Sequence, residues 1–257
     1  MRLQLIPLSL TITAIIPMVY GNNSVNRDSS QREGAFKAAA RGGTVLGLRS
    51  SNVSILLSYP CTPSHGSEGD GDGSVRGIGA SMGFAVAGLA ADASFVRDKL
   101  FDEAAEHRFV FGAEMSLPRL AASVAAMMHR RTLSSYLRPL GVRIALIGVH
   151  QLLEIDPLGG LHSCRAVFLG PYAKQLSECL EKSSSESRDL NNVEILTRGV
   201  QTIVEVITHE ENAFRSEKLQ IAIVGEGLPY KELSREAIRL AVENKDYDLL
   251  DNAIICR

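Results

Sequence analysis

Gly42-Gly43-Thr44-Val45-Leu46-Gly47-Leu48 is followed, after Arg49-Ser50-Ser51-Asn52, by Val53-Ser54-Ile55-Leu56-Leu57-Ser58-Tyr59. Both runs are rich in β-branched and aliphatic residues, and the tetrapeptide between them is polar. The stretch therefore predicts a β-hairpin with strands over 44–48 and 53–59. Just upstream, 35–40 reads as a short helix that stops at Arg41-Gly42-Gly43, because glycine readily takes the left-handed conformation that ends a helix. Just downstream, 60–73 is built of Pro, Ser, Gly, Asp and Glu. It offers no apolar face to bury and reads as a loop.

Further along, Phe84 to Ala87 predicts a short strand. It leads into a long amphipathic helix in which Ala91, Phe95, Leu100, Ala104 and Ala105 recur at near-helical spacing before Gly112. A second helix starts at Ser116, with Pro118 in its first turn and Leu120, Val124, Met127 and Met128 as its apolar stripe, and runs to about Ser135. Strands are expected at 142–149, 152–155 and 164–169, with Asp156-Pro157-Leu158-Gly159-Gly160 as the turn between the last two. Helices follow near 172–181 and 191–208, then a strand at 219–224 and a closing helix from Lys231 to Glu243. Helices in adjacent pairs, with strands grouped between them, do not suit a doubly wound parallel sheet. They suit layers that cover stacked sheets, an α+β sandwich of four layers in the order αββα.

The whole chain has 257 residues, 45% of them hydrophobic and 22% charged, which suffices for one sizeable core and argues for one domain over 22–257. A net charge of −2 with no block of like charges lacks the electrostatic footprint of a nucleic-acid binder. Cys61, Cys164, Cys179 and Cys256 form no C-x-x-C pair and have no histidine at ligand spacing, so they read as free thiols. Residues 1–21 stand apart. Arg2 precedes a mostly apolar run that Pro7 and Pro17 interrupt, Val19 and Gly21 suit signal-peptidase cleavage, and Asn22-Asn23-Ser24 would then be a glycosylation acceptor. The same run reads equally as a divergent leader on a cytosolic protein; its prolines argue against a membrane span.

One stretch matches a catalytic pattern. Gly79-Ala80-Ser81-Met82-Gly83 is the G-x-S-x-G of a nucleophile elbow, with Asp156 and His162 as nominal partners for Ser81. An elbow needs a buried strand turning straight into a helix, whereas a glycine-rich segment precedes this site and a strand follows it. Asp70-Gly71-Asp72-Gly73 suggests a calcium loop, yet the glycine and glutamate an EF-hand requires are replaced by Val75 and Ser81, so a solvated loop is the better reading. His107, His129, His150 and His209 show no i, i+4 pairing, so no metal and no other cofactor is expected.

Several motifs, in order, resemble the alpha-type subunits of the 20S proteasome across 31–250. Gly42 to Leu48 resembles the glycine-threonine step that opens the family's first hairpin, and Ala87-Gly88-Leu89-Ala90-Ala91-Asp92-Ala93 its A-G-L-x-A-D-A. Arg138-Pro139-Leu140-Gly141-Val142 is similar to R-P-F-G-V, and Asp156-Pro157-Leu158-Gly159 to D-P-S-G. Gln31 to Ala40 resembles the end of the alpha-specific N-terminal helix, with Gly34 in place of its tyrosine; nothing upstream matches the family's gate segment. Arg108-Phe109-Val110-Phe111 and Cys164-Arg165-Ala166 lean towards the alpha type-1 class.

The resemblance implies the N-terminal nucleophile hydrolase fold, in line with the four-layer reading, without its chemistry. Catalytic relatives use an N-terminal threonine whose own amine is the base, with an aspartate and a lysine. On this chain those positions fall on Gly43, Tyr59 and Ser74, so the expectation is a structural subunit and no enzyme. The implied partners are other alpha-type chains in a seven-membered ring, beta-type chains and a regulatory particle, in cytoplasm and nucleus, with a secretory alternative if residues 1–21 are a true leader. Phe36 is the candidate anchor in the ring interface. Ser74, with Arg76 two residues on, is the candidate for a pocket that receives a regulator's C-terminal carboxylate.

Overall fold

The structure is a computed structural model that describes residues 25–60, 75–134, 136–183, 192–211 and 214–243. Its elements run α1 (Val25–Ala39), β1 (Thr44–Arg49), β2 (Val53–Tyr59), β3 (Arg76–Ile78), β4 (Met82–Gly88), α2 (Ala90–Phe111), α3 (Leu117–Leu133) and β5 (Val142–Gly148). They continue with β6 (Gln151–Ile155), β7 (Leu161–Ser163), β8 (Ala166–Leu169), α4 (Ala173–Ser183), α5 (Asn192–Glu211), β9 (Gln220–Gly225), β10 (Leu228–Glu232) and α6 (Arg235–Val242).

The described strands form two five-stranded antiparallel sheets, ordered β10-β9-β2-β1-β8 and β3-β4-β5-β6-β7. Three apolar clusters hold the layers together. One lies between the first sheet and α4, α5 and α6, one between the second sheet and α2 and α3, and the third between the sheets. Each central strand feeds two of them by its period-2 alternation. Ile55 and Leu57 of β2 face the helices while Leu56 faces the other sheet; Phe84 and Val86 of β4 face α2 and α3 while Ala85 and Ala87 point inward. Small inward residues, Ala85, Ala87, Ala145 and Ala222 among them, let the sheets approach closely. The αββα sandwich expected from the sequence is the fold observed.

Several elements differ from expectation. Helix α1 reaches back to Val25, although residues 29–34 are exposed and carry no apolar stripe. It is held through its last turns, where Ala35 and Ala39 are buried. Strands β3, β7 and β10 are three to five residues long, too short for a periodicity signal. Lys231 belongs to β10 rather than to the closing helix; α6 begins at Arg235, where the Ser234 hydroxyl accepts the Ala237 N–H at 3.3 Å as an N-cap.

Candidate functional site

The register of the first hairpin pairs Thr44 with Tyr59, which sets Gly43 and Tyr59 side by side at one end of the first sheet. Gly43 is buried, and the backbone around it is tightly closed. A Cβ on Gly42 would overlap the backbone of Gly88, and one on Gly170, whose φ is 91°, would overlap the carbonyl of Gly43. Tyr59 is 2% exposed, and its ring stacks on Phe214 with centroids 5.5 Å apart. Its hydroxyl accepts the Arg215 N–H at 3.3 Å, and burial pushes its pKa above the ordinary phenol value. The pair offers a closed backbone and a neutral aromatic, with no carboxylate on either residue. Ser74 lies outside the described residues. The chain after it arrives at the same end, since the Val75 N–H donates to Gln220 Oε1 at 3.0 Å and Gln220 pairs with Ser58. Arg76 opens β3 and is half-buried.

A second constellation joins motifs that lie far apart in sequence. Asp92, in the first turn of α2, receives both ends of the Arg138 guanidinium at 2.7 and 2.6 Å and the Gly141 N–H at 2.8 Å. The Leu89 N–H donates to the Gly141 carbonyl at 3.0 Å. Burial would push the Asp92 carboxyl up, but the Arg138 fork, the Gly141 N–H and the guanidinium charges of Arg138 and Arg131 outweigh it and hold it below the usual carboxylate range. Gly141 also makes room for α1: a Cβ there would stand 2.7 Å from that of Ala38. The A-G-L-x-A-D-A and R-P-L-G-V stretches, read separately in the sequence, are thus two halves of one clasp beneath α1.

Phe36 lies on α1, 42% exposed, beside the buried Ala35. The elbow candidates do not meet. Ser81 is in the β3–β4 turn, where its hydroxyl donates to Glu114 Oε2 at 3.1 Å. Asp156 and His162, with Nε2 3.6 Å from Oδ2, lie by the β6–β7 turn at the other edge of that sheet. Two inter-strand spacings, about 10 Å, separate β4 from β6, and the register places Asp156 at the end of β6 away from Gln151, which lines up with Met82 through Gly148. Asp156 instead organises its own turn, accepting the N–H groups of Leu158 and Gly160 at 2.8 and 2.7 Å. Asp70 to Gly73 lie outside the described residues; among those described, no three His, Cys, Asp or Glu side chains are grouped as a metal would need. No described helix is long and apolar enough to cross a membrane.

Two participants were not anticipated. Glu114 ties the α2–α3 connection to the β3–β4 turn, accepting the Ala80 N–H at 2.9 Å as well as Ser81. Tyr230 of β10 lays its ring over Gly77 and Gly83, and its N–H donates to the Ala80 carbonyl at 2.7 Å. The available signals were two glycines in short strands, which often mark a close approach by another group.

The pattern of the family described as Proteasome subunit matches residues 39–224. The chain is 26% identical over 205 residues to "Proteasome subunit alpha type-1" of Dictyostelium discoideum, covering 78% of this chain and 82% of that one. It is 32% identical over 197 residues to "Proteasome subunit alpha type-3" of Drosophila melanogaster, covering 74% and 76%. With "Proteasome subunit alpha type-8" of Mus musculus it shares 26% over 217 residues, 82% and 85% of the two chains. A four-layer sandwich, the motif clasp beneath its N-terminal helix and these matches agree: the chain belongs to the proteasome subunit family, among its alpha-type members.

Proposed function

We propose that this chain is a non-catalytic, structural subunit of the outer alpha ring of the 20S proteasome core, supporting ubiquitin-dependent protein degradation through ring assembly and regulator docking. The observation that carries this reading is the closed end of the first hairpin. Gly43 stands where catalytic relatives place threonine, and Tyr59 where they place aspartate, so a nucleophile and its carboxylate partner are missing together. Its partners are the other alpha-type chains of a seven-membered ring, the beta-type chains below and a regulatory particle above, in cytoplasm and nucleus.

The test is co-expression with the other alpha-type subunits, followed by native mass measurement and treatment with a threonine-reactive inhibitor. The expected result is entry into a ring-sized species with no adduct on this chain. A chain that stays monomeric in that company, or a stoichiometric adduct on Thr44 with a new N-terminus there, rejects the reading. N-terminal sequencing of the native protein decides whether residues 1–21 act as a leader; cleavage after Gly21 favours the secretory alternative.

The regulator pocket is part of the same proposal. Ser74 offers a neutral hydrogen bond where a lysine would offer a charge-assisted one of roughly twice the strength. Ser74→Lys is expected to tighten binding of a regulator's C-terminal peptide to the assembled ring, less so as salt rises. Unchanged affinity there, with binding abolished by Arg76→Ala, assigns the carboxylate to Arg76.

A further inference from the structure

Three histidines turn Nδ1 towards a main-chain carbonyl: His107 towards Ala113, His129 towards Leu158 and His150 towards Ser51. A carbonyl only accepts, so each of these Nδ1 atoms carries a proton, and each ring in its neutral form leaves a lone pair on Nε2. Three histidines set a ring nitrogen beside a carboxylate: His150 beside Glu226, His162 beside Asp156 and His209 beside Glu210. Among the described residues, His150 alone belongs to both sets.

The surroundings of His150 hold it in place. It stands in the β5–β6 turn with a φ of 57°, the left-handed region that residues with a Cβ seldom enter. Its carbonyl accepts Arg49 Nη1 at 2.9 Å, and its ring reaches across to the β1–β2 turn at Ser51. Glu226, in the β9–β10 turn, is held in turn by its N–H on the Asn52 carbonyl at 3.0 Å. Turns from both sheets thus meet at the end of β1 and β2 away from Gly43 and Tyr59. His150 Nε2 and Glu226 Oε2 are 3.7 Å apart and open to solvent. With the proton on Nδ1, these are two acceptors facing each other beyond hydrogen-bond reach. A cation between them, a second ring proton or a metal ion, turns that opposition into attraction.

We propose that His150 and Glu226 form a binding site for an exchangeable transition-metal dication of the Zn²⁺ class, with water completing its shell, and that the bound ion bridges the two sheets. Imidazole with carboxylate suits Zn²⁺, whereas Mg²⁺ takes oxygen ligands. Bonds of about 2.0–2.2 Å put two tetrahedral ligand atoms roughly 3.4 Å apart, so the 3.7 Å gap closes with a small side-chain adjustment. The Nδ1–carbonyl contact is the usual outer support of a metal-bound histidine, fixing tautomer and ring orientation. His162 lacks it, having no partner at Nδ1 among the described residues, and the partner of His209 is its own chain neighbour. Two side chains make a weaker site than the four ligands of a structural zinc centre, and the nearby Arg49 charge lowers cation affinity further, so the ion exchanges. The inference does not rest on the ring assignment.

The experiment uses the full chain with ¹⁵N-histidine, read by long-range proton–nitrogen NMR, with His150 assigned through His150→Gln. Without metal, Nδ1 of His150 is expected in its protonated position and Nε2 in its lone-pair position. Zn²⁺ should move Nε2 saturably while Nδ1 keeps its proton, and Mg²⁺ at the same concentration should move neither. Glu226→Gln, on an exposed side chain, should leave the metal-free urea midpoint unchanged. It should weaken Zn²⁺ binding roughly tenfold or more, the loss typical of even an outer-shell partner. Zn²⁺ should also raise the thermal midpoint of the native chain more than that of Glu226→Gln, because only two ligands tie the sheets together. An Nε2 signal unmoved at millimolar Zn²⁺ overturns the proposal, as do equal binding by Glu226→Gln, an equal thermal rise in both chains or an equal response at His162. An Nε2 that already carries a proton at neutral pH overturns it too, assigning the bridge to an ordinary ion pair.

Discussion

Asp92 is 5% exposed and spends its carboxylate on three donors, two of them on Arg138, which joins the start of α2 to the entry of β5. Removing a partner leaves a buried carboxylate short of hydrogen bonds. Arg138→Ala is expected to cost about 1–3 kcal/mol at neutral pH, towards the lower end because the arginine side chain is 56% exposed and water partly replaces it. The pH dependence has a definite sign. The folded-state pKa of Asp92 is depressed, so its contribution is complete above the ordinary carboxylate range near pH 4 and drains away as pH falls through the lower folded value. Urea midpoints measured from pH 6 downwards should decline steeply below about pH 4 in the native chain and less steeply in Arg138→Ala. Parallel declines would show that Asp92 is not the titrating group.

Among the elements, β3 and β10 are edge strands of different sheets, and Tyr230 fastens one to the other. Its ring occupies the space that Gly77 and Gly83 leave free, and its hydroxyl donates to Glu232 at 3.0 Å. Burial first, and the Glu232 charge next, push the phenol far above its usual pKa, so the hydroxyl stays protonated at any working pH. A methyl group on Gly83 would overlap this ring. Gly83→Ala is expected to destabilise by about 1–3 kcal/mol, and Tyr230→Ala to remove most of that penalty in a double-mutant cycle. Additive losses in thermal denaturation would show that the ring does not press on Gly83. Helix α1 is the contrasting case: it is polar along most of its length and is seated on this chain by three small residues, Ala35, Ala38 and Ala39.

For the whole molecule, the decisive property is that both sheets are covered on both faces, which is why the central strands read as nearly continuous apolar runs. Phe36 on α1 is exposed, so Phe36→Glu is expected to leave stability within about 0.5 kcal/mol. The same change should reduce incorporation into the alpha ring several-fold, read as the fraction of labelled chain in the ring-sized species during co-expression. Normal incorporation at unchanged stability would remove Phe36 from the interface.

Continuous apolar runs made β1, β2, β4 and β5 legible in the sequence, and helical spacing made α3 legible; α2 was placed, but its buried stripe is Ala93, Val96 and Leu100, while Ala91 and Phe95 of the expected stripe are exposed. The clasp motifs were legible as words but not as a contact. Asp92 and Arg138 are 46 residues apart, and no local preference records that they meet. Short edge strands escaped for the opposite reason. In β3, β7 and β10 the conformation comes from hydrogen bonds to a neighbour already in place, so three residues such as Arg76-Gly77-Ile78 carry no period of their own. Gly43 and Tyr59 could be named only by laying the first hairpin on that of the family it resembles. That backbone closes around the one and Phe214 covers the other depends on chain segments more than a hundred residues away, which only packing brings together.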